Sequence, residues 1–523
     1  MKKNKMKKKI YLLVTILAIV AIFVASVVIF GCSSDTCCHD HEVSPPPSIS
    51  PPNRPPNQPD DLDYFIPITS ASELNAIASN LSGDFKLMAN ITLTNHTPIG
   101  NSENPFTGRF FVPSGDNDTP LYRITSLSIT NTMRSGGSYI AGLFGTNYGI
   151  ISNLWIDNFT VNIDNPNPDQ NRVLVGAITA DNRGIIEFVN VASSTVNVTA
   201  HNGGIRAGVI AGRNRGEGGI IRYTVANGTV TIQSAVNRTS RAGGLVGHLE
   251  DGGTIYRSGA AVSVSATSTN NVNIAAAGLV GYIQRGATIR ESFATGNAFS
   301  TSNNGGTIYS GGLTGNISLV DNAEAEDRDE GYRWNVLIQQ SFATGNATAV
   351  ATGGAYASGL IARIDDNAGT PSDVLVTETF STGNATITPQ GAMGNPNHFV
   401  GGLVGRIQTL EDSVIRLENS FTKGNITGSG VGNSNFAGAL VARFQNNGFR
   451  QVYNLFYSSD ITVMGNVRPD DGIPSLTNSV DFPSTEVTPA NILNSTWQQT
   501  NLNFNNTVWA FTNGQLPNLS WRV

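Results

Sequence analysis

Metal, nucleophile and acid–base chemistry each need particular side chains at particular spacings, and this chain offers few. Its histidines are His39, His41, His96, His201, His248 and His398, with no metal-site pairing among them, and its cysteines are Cys32, Cys37 and Cys38. Soft ligands crowd together only in Cys37-Cys38-His39-Asp40-His41-Glu42. That run lacks the Cys-x-x-Cys spacing of a zinc site, and no second histidine follows His41-Glu42 at the interval of a zinc-peptidase helix. It reads as a polar tether. The residues after Cys38 contain no cysteine, so the main body holds neither a thiol nucleophile nor a disulfide framework. There is no Gly-x-Ser-x-Gly elbow and no phosphate loop ending in Lys. No catalytic residue and no cofactor is assigned from these patterns.

Carboxylates are the remaining candidates. The densest run holds Asp321, Glu324, Glu326, Asp327, Asp329 and Glu330, followed by Tyr332 and Trp334; Asp365, Asp366 and Asp373 come next. Hard cations take several carboxylate oxygens, so Asp327, Asp329, Asp365 and Asp366 are the candidate ligands for a Ca²⁺ ion. The alternative is a set of solvated loops. Carboxylates from separate turns of a repetitive fold could also meet at the roughly 5–9 Å that glycoside hydrolysis uses. A polysaccharide lyase or hydrolase therefore stays open beside a non-enzymatic role.

What positions these groups follows from composition and repetition. The chain has 523 residues, of which 13% are charged, about half the usual share. Gly, Asn, Ser and Thr must build much of the surface, which suits short strands and turns. The net charge is −6 even with six lysines in the first nine residues. Without that segment the balance is more acidic still, which argues against a nucleic-acid partner, whose phosphates need Lys and Arg. The lysines precede an apolar run from Ile10 to Phe30 and then Gly31-Cys32, the layout of a secretory signal. The run is also long enough to remain as a membrane span. Ile29-Phe30-Gly31-Cys32 resembles the lipobox of bacterial lipoproteins. That resemblance implies lipidation of Cys32, anchoring to the membrane and, with Ser33 next, delivery to the outer membrane or cell surface. Val43 to Asp60 carries eight prolines and reads as an extended spacer.

Beyond it a block of small-apolar-apolar-small residues recurs. It begins at Gly142, Gly176, Gly208, Gly244, Gly278, Gly312, Gly359, Gly402 and Ala439, at intervals near 34 residues. Leu245, Leu279 and Leu403 hold equivalent places in it. A second marker follows in phase as Ser-Phe-Ala-Thr-Gly-Asn or a variant. It supplies Phe293, Phe342, Phe380 and Phe421, and Asn297, Asn346, Asn384 and Asn425. Val191, Val225, Gly259 and Phe293 are aligned in one column. Each unit holds about three short runs, too short for amphipathic helices. Short strands repeated at a fixed interval stack as coils in parallel. The expected fold is all-β, a right-handed parallel β-helix of about nine coils. In it the Leu and Phe columns point inward, the block glycines take positive φ at corners, and the Asn amides form a ladder.

Gly-Gly-Leu-Val-Gly followed by Ser-Phe-Ala-Thr-Gly-Asn resembles the GLUG repeat of bacterial cell-surface and adhesin-like proteins and some IgA-specific metallopeptidases. The resemblance implies a surface β-helix, and it supplies no reaction because no peptidase motif is present. Ser70-Ala71-Ser72-Glu73 is a capping box with Leu74, Ile77 and Leu81 on one helical face. That helix and the strands near Phe85–Leu93 should close the N-terminal end, and Trp497, Trp509, Phe511, Leu516 and Trp521 should cap the other.

The resulting division is a signal peptide over 1–31, a lipidated tether over 32–62, an N-terminal cap with first coils over 63–140, the repeat over 141–465 and a C-terminal cap over 466–523. From the intervals between markers, four successive coils carry insertions at one corner, which should emerge side by side as a shelf. The expected function is that of a monomeric, lipid-anchored adhesin or scaffold for host or environmental glycans or proteins. A polysaccharide-active enzyme and a purely structural envelope protein are the alternatives.

Overall fold

The computed structural model describes residues 62–522, except 116–118, 166–170, 236–237, 320–333, 367–371, 391–396, 410–412, 429–434, 446–448 and 465–483. Strand after strand pairs in parallel with the strand one repeat later, at constant register. Val246 pairs with Val280, Val280 with Thr314 and Thr314 with Ile361. The molecule is a parallel β-helix. Insertions do not disturb the register, because each is absorbed between strands. One sheet has nine strands, one per repeat, from Phe144–Asn147 to Val441–Gln445.

Each coil has one more run than the sequence pattern suggested. The residues before each block, such as Ile274–Ala277, make nine strands of a separate ten-stranded sheet, whose tenth strand, Met133–Ser135, pairs antiparallel with Ser138–Ala141. The chain then turns through the block into the nine-stranded sheet (Val280–Gln284), into Ala287–Arg290, and through Phe293–Ala294 into Ala298–Ser302.

Leu245, Leu279 and Leu403 lie in one buried core, each fully enclosed. Their backbones link coil to coil: Leu245 N–H donates to Leu279 O at 2.9 Å, and Leu403 N–H to Leu440 O at 2.8 Å. Asn147, Asn182 and Asn214 share the interior with them. Asn147 Nδ2 donates to Asn182 Oδ1 at 2.8 Å, and Asn182 Nδ2 to Asn214 Oδ1 at 2.7 Å, so buried amides are satisfied by one another. From the next coil the same file turns apolar with Leu249 and Ile283.

Positive φ was expected at the block glycines and occurs elsewhere. The left-handed residues at one corner of successive coils are Asn153, Phe188, Tyr223, Arg257, Glu291, Gln340, Glu378, Asn419 and Asn454. A serine or threonine follows each of these from Tyr223 to Asn419. Ser292 Oγ donates to Arg290 O at 2.7 Å and accepts the Ser258 N–H at 3.3 Å. Ser341 and Ser420 repeat the turn-closing bond. The Ser of the Ser-Phe marker thus closes the turn within its coil and ties it to the coil before. Block glycines serve close approach instead: a Cβ on Gly281 would lie 2.7 Å from Ala242 O and 2.8 Å from Gly247 O.

The phenylalanine column does not point inward. Strand alternation places Phe293 and Ala294 on opposite faces, and Ala294 takes the core while Phe293 faces out. Phe293, Phe342, Phe380, Phe421 and Phe456 form a second cluster, with neighbouring rings as little as 4.7 Å apart and nearly parallel. The same pairings correct the column by one residue: Asn190, not Val191, is in register with Val225, Gly259 and Phe293.

The C-terminal aromatic segment covers this column. Ser484–Val487 pairs with Phe449–Ser458 at the last coil, and two short helices follow, Pro489–Ile492 and Ser495–Asn501. The chain then runs back along the flank. Trp497 meets Phe456, Phe504 meets Phe421, Trp509 meets Phe380 and Phe342, and Trp521 meets Phe293. At the other end Ser70 caps the helix Ala71–Ala76 by accepting the Glu73 N–H. Glu73 accepts from Thr69 N–H and Oγ1. Leu74 and Ile77 are buried beneath the helix and Leu81 packs partly against them.

Candidate functional site in an arginine-rich outer corner

Two sheets meet at the block, and on the outside of that junction their side chains touch. The outward file of the ten-stranded sheet runs Ile140, Leu174, Arg206, Arg241, Ala275, Tyr309, Tyr356, Phe399 and Phe436. The facing file of the nine-stranded sheet runs Thr146, Asp181, Arg213, His248, Tyr282, Asn316, Arg363, Arg406 and Arg443. Arg363 Nη1 donates to Tyr309 Oη at 3.2 Å, and Arg406 Nη1 to Tyr356 Oη at 3.0 Å. Outward residues that reach one another across a sheet junction make a concave corner. The last residue of the block must be small there. Gly145 would drive a Cβ to 2.5 Å from Ile140 Cδ1, and Ala362 and Ala442 pack among the aromatic rings.

The later coils fill this corner with stacked aromatics. Tyr309, Tyr356, Phe399 and Phe436 follow one another at 5.1–5.3 Å. The Arg406 and Arg443 guanidinium groups lie 5.1 and 4.6 Å from the centroids of Phe399 and Phe436. The stacking is worth some tenths of a kcal/mol to about 1.5 kcal/mol per pair.

The earlier coils fill it with charge. Arg213 grips Asp181 through Nε at 2.9 Å and Nη2 at 2.7 Å, and reaches Glu250 at 3.3 Å. Arg215 adds a second grip on Asp181, with Nη2 at 2.9 Å. Burial raises the Asp181 pKa, but the two arginines outweigh it and bring the carboxyl down to about 2. Burial likewise works against the Glu250 charge, and Arg206, Arg213 and Arg241 overcome it. His248 is fully enclosed, 3.1 Å from Glu250 through Nδ1, with Arg241 Nη1 at 3.0 Å from its ring nitrogens. Burial first, and then Arg206, Arg241, Arg213 and Arg172, drive its pKa far down, so the ring is neutral. Nothing in the linear pattern marked this cluster. Its members lie on several coils and come together only through stacking.

The residues singled out from the sequence fall elsewhere. Asp365 lies on the nine-stranded sheet, 2.8 Å from Arg363, with burial raising its pKa. Asp366 is buried and accepts from Ser413 Oγ. Asp327 and Asp329, with most of the largest insertion, lie outside the described residues, as do Cys32, the tether and the apolar run from Ile10 to Phe30. Among the described residues no group of three His, Cys, Asp or Glu side chains could hold a metal ion, and no helix is long and apolar enough to cross a membrane. Strands flanking the four insertions lie side by side, Thr314–Ser318 beside Ile361–Asp365 and then Val404–Gln408 and Val441–Gln445. The asparagines do form a ladder, by a different bond from that expected. Asn297 Oδ1 accepts the Asn346 N–H at 2.9 Å, Asn346 that of Asn384 at 2.9 Å, and Asn384 that of Asn425 at 2.8 Å.

No family model matches the chain, and no curated protein matches it. A solved structure that resembles it is that of a "putative immunoglobulin A1 protease" from Bacteroides ovatus, with 14% identity, 87% of this chain and 92% of the other covered, and a TM-score of 0.30. At that score the likeness says nothing further about this chain.

Proposed function

We propose that the chain is a cell-surface β-helical scaffold, lipid-anchored through Cys32 and built of GLUG-type repeats, that binds host or environmental macromolecules as an adhesin. The observation that carries this reading is the outer corner. Arg363, Arg406 and Arg443 run half-buried along successive rungs there, over aromatic rings that are themselves buried, outside the core that holds the fold together. A stiff stack displaying one lateral file suits recognition of an extended partner. Asp181 and Glu250, the carboxylates of the corner's earlier coils, are both held ionised by arginine, which suits charge pairing there better than proton delivery to a substrate.

A glycan array probed with the full chain, with parallel assays for new reducing ends and unsaturated products, tests this. Binding without turnover is expected. Turnover would favour a polysaccharide-active enzyme, and neither binding nor turnover would favour a structural envelope role. Mass spectrometry of the mature N-terminus checks the anchor: a diacylated Cys32 is expected, and an intact run from Ile10 to Phe30 would remove it.

A further inference from the structure

Between the N-terminal helix and the first coil the fold leaves a cavity. The helix Ala71–Ala76 and the 3₁₀ turn Ile77–Ser79 that continues it line one side, and the strand Ile91–Leu93 with the residues up to Ile99 line the other. Its volume is about 380 Å³, near the lower end of the ~300–1,000 Å³ that ligand pockets span. That is room for a single ring rather than a chain.

One member of the wall stands out. Alternation from Ile91 through Leu93 would place Asn95 inside and His96 outside. Asn95 is left-handed instead, with φ 50°, and His96 turns inward, where it is 5% exposed. One bond fixes the ring: Nε2 lies 2.9 Å from Leu143 O, which also accepts the Ile99 N–H at 3.0 Å. A carbonyl only accepts, so Nε2 carries the proton and Nδ1 of the neutral ring is an acceptor. Burial outweighs that bond, lowering the pKa and keeping the ring neutral. Nδ1 is buried and has no hydrogen-bond partner. A buried acceptor left unmet costs free energy, which a donor from a ligand restores.

The rest of the wall selects the donor. None of the lining residues is Asp, Glu, Lys or Arg, so a charged group entering would lose water and gain no partner. Ala71, Ala78, Leu93 and Ile99 offer apolar contact, while the exposed Asn75, Thr94 and Thr97 offer neutral donors and acceptors. A hydroxylated ring presents both kinds of surface, carbon-bound hydrogens on its faces and hydroxyls around its edge.

We propose that this cavity binds one neutral hydroxylated ring, a single sugar or a cyclic polyol, with a hydroxyl donating to His96 Nδ1. The site is separate from the arginine-rich corner and stands or falls independently of the scaffold reading.

Nitrogen NMR of the full chain labelled at histidine tests this, with the His96 signals identified by their loss in His96→Gln. The probes are the methyl glycosides of glucose, galactose and mannose, myo-inositol, and the uronic acid and 2-amino sugar corresponding to each sugar. At least one neutral probe should shift the Nδ1 resonance saturably toward that of a hydrogen-bonded acceptor and raise the melting temperature. Whether the glycosides or inositol do so identifies the source. The acidic and amino analogues should bind about tenfold more weakly, because the cavity leaves their charges unpartnered. His96→Gln should lose about tenfold in affinity with the missing acceptor. Ala78→Phe, a change at an exposed position that fills the cavity, should abolish binding and leave the melting temperature of the ligand-free protein unchanged. A histidine serving only to hold Leu143 would leave binding absent in every variant.

An Nδ1 resonance that no neutral probe moves would overturn the proposal, whether the nitrogen is bonded to water or to nothing. Equal binding of neutral and charged analogues, or wild-type affinity in Ala78→Phe, would overturn it too. Should Ala78→Phe fail to fold, the Nδ1 titration of the unaltered chain decides alone.

Discussion

His248 is enclosed beside Glu250 and four arginines, and its chemistry makes stability depend on pH. Its folded pKa lies far below the ordinary 6.5, and burial lowers those of His96 and His398 too. Below pH 6.5 the unfolded chain gains protons on these rings that the folded chain refuses, so their contribution is full above pH 6.5 and shrinks beneath it. Asp181, at about 2 against an ordinary 3.8, adds stability above pH 3.8 that is lost as pH falls toward 2. Asp251, Asp365 and Glu378, raised by burial, act in the opposite sense at the acid end. Calorimetry should give a lower melting temperature at pH 5.5 than at 7.5, with a smaller difference in His248→Gln. Equal temperatures at both pH values would contradict the buried neutral ring. Close approach gives a second prediction at this scale. Gly281→Val must push its Cβ against the backbone of Ala242 and Gly247. It should cost about 1–3 kcal/mol in urea unfolding, and an unchanged midpoint would show that the corner can open.

The C-terminal segment and the phenylalanine column depend on each other. The outward column holds Trp155, Asn190, Val225 and Gly259 in the earlier coils and changes to phenylalanine at Phe293, which the returning segment meets through Trp521 and Arg522. Trp521 Nε1 donates to Glu291 O at 3.0 Å, and Asn505 N–H to Glu378 Oε2 at 2.7 Å, so polar bonds fix the segment to the left-handed corner. Phe380→Ala, which removes a ring only 1% exposed, should cost about 3–5 kcal/mol. Truncation after residue 483 would bare the whole file, an apolar strip of the kind that promotes association. We expect the truncated chain to bind a hydrophobic dye and self-associate in sedimentation; a monodisperse, dye-silent truncation would show that the column needs no cover.

Along the whole molecule each coil touches its neighbours, and this makes length adjustable. Gly259 is in register with Phe293, so deleting residues 259–292 joins Ser258 to Phe293 without shifting any file. That variant should keep its β-sheet circular dichroism and a cooperative melt, as nearest-neighbour stacking predicts. Deleting 259–275 alone should abolish both, because half a coil puts core residues on the outside. If both deletions fold equally well, register does not govern the stack.

The period, the parallel stacking, the inward leucine file and the capped first helix were all legible in the sequence, because each depends on neighbours a few residues or one repeat away. The side on which the phenylalanines lie was not. Alternation says that Phe293 and Ala294 face opposite ways, but both faces are buried here, one by the core and the other by a segment more than 200 residues downstream. The arginine corner was hidden for a related reason. Arg172, Arg206, Arg213, Arg241 and Glu250 are unremarkable at their places in the chain, and only the inward fold between two sheets brings their charges within reach of one another.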